Sequence, residues 1–254
     1  FRSYDILHES AESLADILNA QGYQSFFAHA NRGSYFNRIK ASQEMNFDAF
    51  FESQSFSKKA RGWGSIDELF IEETIALTLK ARTVEKNIYL HAITIQSHAD
   101  FKIHSEKARE YISKYAPETS GIVFDYLCVM VDIDNAIKRF VELSKQFNDP
   151  IIVIFSDHTS GVLDKRIGIT EKIPVCVGNT ARSLEATRGS ILDIAPTICD
   201  ELGINASQKW IGDSLFPSGE RDVLQINGKI ITSSGFKKPS SRQLQILDYS
   251  SSFQ

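Results

Sequence analysis

Cysteine, proline, tryptophan and methionine are all scarce: 254 residues hold three Cys, six Pro, two Trp and two Met. The three cysteines, Cys128, Cys176 and Cys199, are odd in number, widely spaced and set among apolar residues. That pattern excludes a disulfide framework or a zinc knuckle, and all three are expected as buried thiols. No apolar run approaches the roughly 20 residues that cross a bilayer, so no transmembrane helix is expected within the chain. A surplus of positive charge is also missing. The 28 Lys and Arg against 32 Asp and Glu give a formal charge of -4, without the basic footprint of a nucleic-acid binder. Neither an initiator Met nor a signal peptide opens the sequence, and Phe1-Arg2-Ser3 reads as the interior of something longer. There is no internal repeat, and low complexity is confined to the Ser-rich end.

What is present is the composition of one large globular domain, 42% hydrophobic and 24% charged. Helix and strand patterns alternate. Glu9 to Gln21 reads as a helix stopped by Gly22, Tyr23 to Ala28 as a strand, and Tyr35 to Glu44 as a short helix. Phe47 to Phe51 is a brief strand, and Ser65 with Glu68 has capping-box spacing for a helix to Ala81. Ile88 to Ile95 is a strand, while Ser105 to Tyr115 and Gly121 to Phe147 are helices. In the second of these, Ile122, Leu127, Val131, Ile133, Ile137 and Val141 are core candidates. Ile151 to Phe155 and Ile173 to Val177 read as strands buried on both faces. Ser190 to Leu202 is a helix stopped by Gly203. Beyond it, Asn227-Gly228 between two apolar runs is a hairpin signal, and Leu244 to Tyr249 a further strand. The alternation implies an α/β fold, a mostly parallel sheet flanked by helices, with a small C-terminal antiparallel annex.

Parallel sheets carry their chemistry at the carboxyl ends of strands. Ser156-Asp157-His158-Thr159 follows one strand, and the adjacent carboxylate and imidazole suit Mn²⁺, Zn²⁺ or Mg²⁺. The alternative is that Asp157 caps a turn while His158 packs. His29 and His98 also fall just past strand ends, so the three imidazoles are expected to share a polar site. His91 lies inside a strand and is expected to be structural; His8 and His104 are expected in solvent. The loop after His29 offers Asn31, Arg32, Asn37 and Arg38. Arg38, beyond the apolar pair Tyr35-Phe36, is the one placed to aim inward and fork two oxygens of a phosphate or sulfate. Gly62-Trp63-Gly64 reads either as a pocket-lining loop or as a Trp plugging a surface seam.

At this point a resemblance becomes specific. Ser13-Leu14-Ala15-Asp16-Ile17-Leu18, Gly22-Tyr23 and the run His29 to Arg38 resemble the lipoteichoic acid synthase branch of the sulfatase and alkaline phosphatase superfamily. In order, Asn46 to Phe51 resembles its "GFD-x-FF" element, and Gly62-Trp63-Gly64 with Asp67-Glu68 its "GWG…DE" loop. Thr94 to His98 resembles a strand end bearing a substrate-binding His, Ser156-Asp157-His158 the "GDH" metal motif, and Asp193 to Thr197 with Leu202-Gly203-Ile204 the "D-x-x-PT…LGI" helix. The similarity covers about Ser13 to Phe216.

The resemblance implies a metal-dependent transferase or phosphodiesterase acting on a phosphoglycerol or other anionic phospholipid headgroup, or on a glycan, of the cell envelope. Asp157 and His158 would bind one divalent cation, Mn²⁺ ahead of Mg²⁺ and Zn²⁺. His29, Phe36, Arg38, Trp63 and His98 would hold the substrate, and His98 would also act on the leaving oxygen. Phe36 stands where the synthases carry Trp, and Ala99-Asp100 where they carry Tyr-Pro. No His follows His158, so one metal is expected rather than two. The nucleophilic Thr and a Glu ligand would lie before Ser13, where Ser3, Tyr4 and Ser10 lack the strand-to-helix context. Residues 1–216 are therefore expected as a truncated catalytic domain and 217–254 as its annex, inactive alone. The parent would be membrane-tethered, with this part outside the cytoplasmic membrane. A sulfatase, and a non-catalytic binding domain of the same fold, are the alternatives.

Overall fold

The computed structural model describes residues 12–160, 162, 173–184, 189–210 and 212–216, with the backbone of 223–224, 230–232 and 235–237. His8, residues 9–11 of the helix expected from Glu9, the Asn227-Gly228 turn and the expected strand at Leu244 to Tyr249 lie outside these residues; the helix itself starts at Leu14, later than expected, because Ser13 caps it there. The chain divides into two compact units, 1–176 and 177–254.

In the first unit, Ser13 caps helix α1 (Leu14–Ala20) through a capping box with Asp16. Gly22, at φ +86°, ends that turn and feeds strand β1 (Gln24–His29). β1 lies at the centre of a three-stranded sheet, between β2 (Ala49–Phe51) and β3 (Ile88–Ile93), and both pairings are parallel. Parallel neighbours need crossovers, and the segments between the strands carry α2 (Arg38–Glu44) and α3 (Asp67–Ala81). β1 is buried along nearly its whole length because the faces are covered by rings: Phe27 stacks on Phe47 and Phe50, and Phe26 on Phe51. Ala28, Ala30, Phe56, Phe70 and Ile95 form the core under α3. Helices α4 (Glu106–Tyr115), capped by Ser105, and α5 (Gly121–Ser144) follow.

β4 (Ile152–Phe155) pairs with β5 (Val175–Gly178) in a separate two-stranded sheet. Neither strand is buried on both faces, contrary to the sequence expectation: beyond Ile152 the residues of β4 are half-buried, and Cys176 in β5 is exposed. Alternation along β5 puts that thiol on its open face; Cys128 and Cys199 are buried as expected. In α5 the buried apolar positions are Cys128, Val129 and Ala136, whereas Val141 is exposed.

In the second unit, Ser190 and Asp193 form a capping box that opens a short 3₁₀ turn running into α6 (Ile194–Glu201). Gly212 is required where it stands, since a Cβ there would lie 1.9 Å from the Leu192 carbonyl oxygen. Arg182 forks Asp200 at 3.0 and 3.1 Å. The annex is antiparallel: β7 (Ile230–Thr232) pairs with β6 (Val223–Leu224) on one side and β8 (Gly235–Lys237) on the other.

Candidate active site

The parallel ladder sets His29, the last residue of β1, opposite Ile93 of β3. Its Nδ1 lies 3.0 Å from the Ile93 carbonyl oxygen. A carbonyl only accepts, so Nδ1 carries the proton and Nε2 presents a lone pair. His29 is 3% exposed. Burial lowers its pKa to about 4; the bond to Ile93 opposes that shift, and the neighbouring Arg38 charge adds to it. At neutral pH this imidazole is therefore an uncharged acceptor.

Arg38 opens α2 from a strained turn. The expected single helix from Tyr35 to Glu44 is broken, because Phe36 (φ +54°) and Asn37 (φ +56°), inside the Tyr35–Asn37 3₁₀ turn that precedes α2, are both left-handed. A left-handed Phe costs about 1 kcal/mol or more, and such strain concentrates at functional turns. The turn folds back tightly: Ile39 N–H donates to the Gly33 carbonyl at 3.0 Å. A Cβ on Gly33 would sit 2.6 Å from the Ile39 side chain, so only Gly fits there. The result is a buried guanidinium, 9% exposed. Its Nη1 donates to the Tyr35 carbonyl at 3.0 Å, with the Tyr35 and Phe36 rings 5.6 and 5.3 Å from Cζ.

Trp63 joins this corner to the next strand end. Its indole is edge-on to Tyr35 at 5.9 Å and to His98 at 4.6 Å. His98 Nδ1 is 2.7 Å from the Ala99 carbonyl oxygen, so a neutral His98 also presents Nε2 as acceptor. A cavity of about 210 Å³ opens beside it, lined by Trp63, Gln96, His98, Asp100 and Lys102 among others. Of the sequence-predicted residues, Phe36, Arg38, Trp63 and His98 are thus connected through Tyr35, and His29 lies within reach of the Arg38 charge. Asn31 is buried beside it in sequence, and Arg32 is exposed.

Behind the cluster lies a polar network that sequence reasoning missed. The capping box expected from Ser65 and Glu68 does not form. Ser65 is fully buried, and α3 starts one residue after Ile66 with no side-chain cap. Asp67 faces the sheet instead, accepting the N–H groups of Ile95 and Gln96 at 3.1 Å each. Gln96 accepts Asp67 N–H at 3.0 Å and donates to Asp132, whose carboxylate also holds Ser105. Burial raises the Asp67 pKa to about 6, against the two backbone N–H bonds and with the Asp132 charge. The signal in the sequence was Asp132 within the apolar run of α5: a carboxylate there needs a partner. His104 is likewise no solvent residue; its side chain is 4% exposed and bonds Asp125 at 3.1 Å.

Asp157 and His158 follow β4 and are well exposed, at 76% and 75% of their side chains. Their bonds are local: His158 N–H donates to Asp157 Oδ1 at 2.9 Å, and His158 Nδ1 lies 2.7 Å from the Thr159 carbonyl oxygen. That second bond leaves Nε2 with its lone pair, 3.6 Å from Asp157 Oδ2. Two convergent lone-pair donors, one fixed in the ligating tautomer by a backbone carbonyl, fit a divalent cation. Among the described residues no third His, Cys, Asp or Glu joins them, and no bond or ring contact links them to the His29–Arg38–His98 cluster.

The chain thus has a parallel α/β sheet with His29 at one strand end, His98 after another and an Asp-His pair after a further strand, and the sulfatase family model matches residues 2–204. The chain belongs to that family. Within it, lipoteichoic acid synthase 1 of Bacillus subtilis is 25% identical over 248 residues, 87% of this chain and 38% of that protein. The lipoteichoic acid synthase LtaP of Listeria monocytogenes has the same fold, with TM-score 0.72 and 19% identity over 95% of this chain and 72% of that one. The periplasmic domain of EptC from Escherichia coli, solved with Zn, superposes at TM-score 0.61 with 13% identity over 89% and 71%. The chain spans less than two-fifths of the curated synthases it matches. No described helix is long and apolar enough to cross a membrane.

Proposed function

We propose that this chain is the headgroup-clamping part of a metal-dependent transferase or phosphodiesterase acting on the phosphoglycerol, or a related phosphoryl headgroup, of a cell-envelope lipid or glycan. The observation that carries this reading is the pairing of a buried Arg38 with a buried, neutral His29. The guanidinium, set against the Tyr35 and Phe36 rings, would fork two phosphate oxygens. His29 Nε2 has no proton to give to an anion but accepts one from a hydroxyl. A glycerol phosphate supplies both groups, whereas a bare sulfate supplies only oxygens. Trp63 would shield one side, and His98 Nε2 would accept or return a proton at the reacting oxygen.

Asp157 and His158 would hold one divalent cation, Mn²⁺ first, with Mg²⁺ or Zn²⁺ the alternatives. Bound there, it would lower the pKa of a hydroxyl nucleophile and neutralise phosphoryl charge. The nucleophile is assigned to sequence N-terminal to the clamp, so the isolated chain should bind headgroup without turnover. On this reading residues 1–216 serve catalysis and 217–254 are its annex. The kinship with lipoteichoic acid synthases and with a periplasmic domain supports a site outside the cytoplasmic membrane in a tethered parent.

The test is calorimetric titration of the chain with glycerol phosphate and with sulfate. Tighter binding of glycerol phosphate, lost in Arg38→Ala, is expected; equal affinity for the two anions would refute the hydroxyl-reading role of His29.

A further inference from the structure

Around the mouth of the Arg38 clamp the surface is apolar where a soluble face should be polar. Tyr35 (43% exposed), Phe36 (41%), Ile39 (47%), Trp63 (51%) and Ile66 (38%) are half of all the large apolar side chains exposed among the described residues. They come from two stretches of chain, Tyr35–Ile39 and Trp63–Ile66, joined by ring contacts of Tyr35 with Phe36 at 4.4 Å and with Trp63 at 5.9 Å. Scattered exposed apolar residues need no explanation, but rings gathered across two segments mark an interaction surface.

The charge around them is equally uneven. From Ala30 to Ile66 there are six basic residues (Arg32, Arg38, Lys40, Lys58, Lys59 and Arg61) against three acidic ones (Glu44, Asp48 and Glu52). That is a surplus of three positive charges in a chain of formal charge -4. All three acids are already engaged: Glu44 with Lys40, Asp48 with Ser25, and Glu52 with Gly33 and Ser53. Arg32, Lys58, Lys59 and Arg61 are exposed and make no ion pair among the described residues. Three of these four stand immediately before Trp63, in a loop closed by the Ile66 N–H bond to the Lys59 carbonyl at 3.0 Å.

We infer that this face docks on an anionic lipid bilayer, with the Tyr35, Phe36 and Trp63 rings and Ile39 at headgroup depth and the Lys58–Arg61 loop against the lipid phosphates. Amphipathic rings beside unpaired cations are the chemistry that settles at a charged interface. A protein partner would be served by apolar surface, but four free cations would each need an acid from it. A bilayer supplies unlimited negative charge without a matching shape. The Tyr35 and Phe36 rings that would enter the interface are those that flank the Arg38 guanidinium, so the clamp opens at the depth where a lipid headgroup lies. The docking itself does not depend on the transfer chemistry.

The test uses the full chain carrying Trp210→Phe, so that Trp63 is the sole indole reporter, with phosphatidylcholine vesicles prepared with and without phosphatidylglycerol. Sedimentation with the anionic vesicles alone is expected, together with a blue shift of Trp63 emission and its quenching by brominated acyl chains. Added salt should release the protein. Lys58→Glu with Lys59→Glu should lower partitioning by at least about 25-fold, taking about fivefold per cation removed, while leaving calorimetric glycerol phosphate binding intact. Tyr35→Ala should weaken vesicle binding as well. Equal sedimentation with neutral vesicles, or bound protein whose Trp63 emission is unmoved, overturns the docking face. Loss of glycerol phosphate binding in Arg38→Ala with vesicle binding retained separates this proposal from the headgroup reading.

Discussion

Asp67 and Gln96 exchange hydrogen bonds: Asp67 N–H donates to Gln96 Oε1 at 3.0 Å, and the Asp67 carboxylate accepts Gln96 N–H at 3.1 Å. The pair ties the start of α3 to the chain two residues before His98, so the His98 imidazole rests on a buried polar lock. Removing one member leaves backbone donors without acceptors in the core. Asp67→Ala should destabilise the chain by about 2–5 kcal/mol, from two orphaned N–H groups and the space left behind. The effect has a pH signature. The folded pKa of about 6 lies above the unfolded carboxylate value, so the folded state binds more protons between about pH 4 and 6. That contribution is full below the unfolded pKa and is lost as pH rises through 6. The stability gap between wild type and Asp67→Ala, from urea unfolding, should therefore narrow from pH 5 to pH 7.5.

His29 works in the opposite sense. Its folded pKa of about 4 lies below the unfolded histidine value near 6.5, so the folded state binds fewer protons in that window. Stability from the neutral ring is intact above about pH 6.5 and disappears as pH falls toward 4, by roughly 3 kcal/mol at most. His29→Asn should flatten the acid limb of the stability–pH curve relative to wild type, and a curve of unchanged slope would contradict a buried, neutral His29.

Arg38→Lys keeps the charge but loses the planar fork and the stacking on Tyr35 and Phe36. Glycerol phosphate affinity should fall by about 10–100-fold in calorimetry, almost as far as in Arg38→Ala.

Asp157 and His158 alone should bind Mn²⁺ weakly, as two donors do. Paramagnetic broadening of the His158 ring resonances, abolished by Asp157→Ala and unaffected by Arg38→Lys, is the expected NMR result.

Much of this was legible in the sequence because local physics decides it. The helix after Ser105 opens where the pattern says, Gly22 and Gly203 stop helices at positive φ, and the apolar runs of β1 and β3 pair in parallel. What failed depended on tertiary demands. The break at Phe36 and Asn37 is set by the fold-back on Gly33, against helical propensity. The Ser65–Glu68 cap gives way to Asp67 because two backbone N–H groups just after β3 need an acceptor. Exposure of Cys176 and burial of His104 turn on which neighbours arrive from distant sequence, which hydrophobic periodicity cannot report.

If the proposed function holds, the Arg38 clamp and the Asp157–His158 pair act on a single bound headgroup. The most direct measurement is the phosphorus-31 relaxation of glycerol phosphate in the presence of the chain and Mn²⁺. Strong relaxation enhancement that vanishes in Arg38→Ala and also in Asp157→Ala is the predicted result. Enhancement that is absent in the wild type, or that survives Asp157→Ala while Arg38→Ala removes binding, would show two unrelated sites and contradict the account.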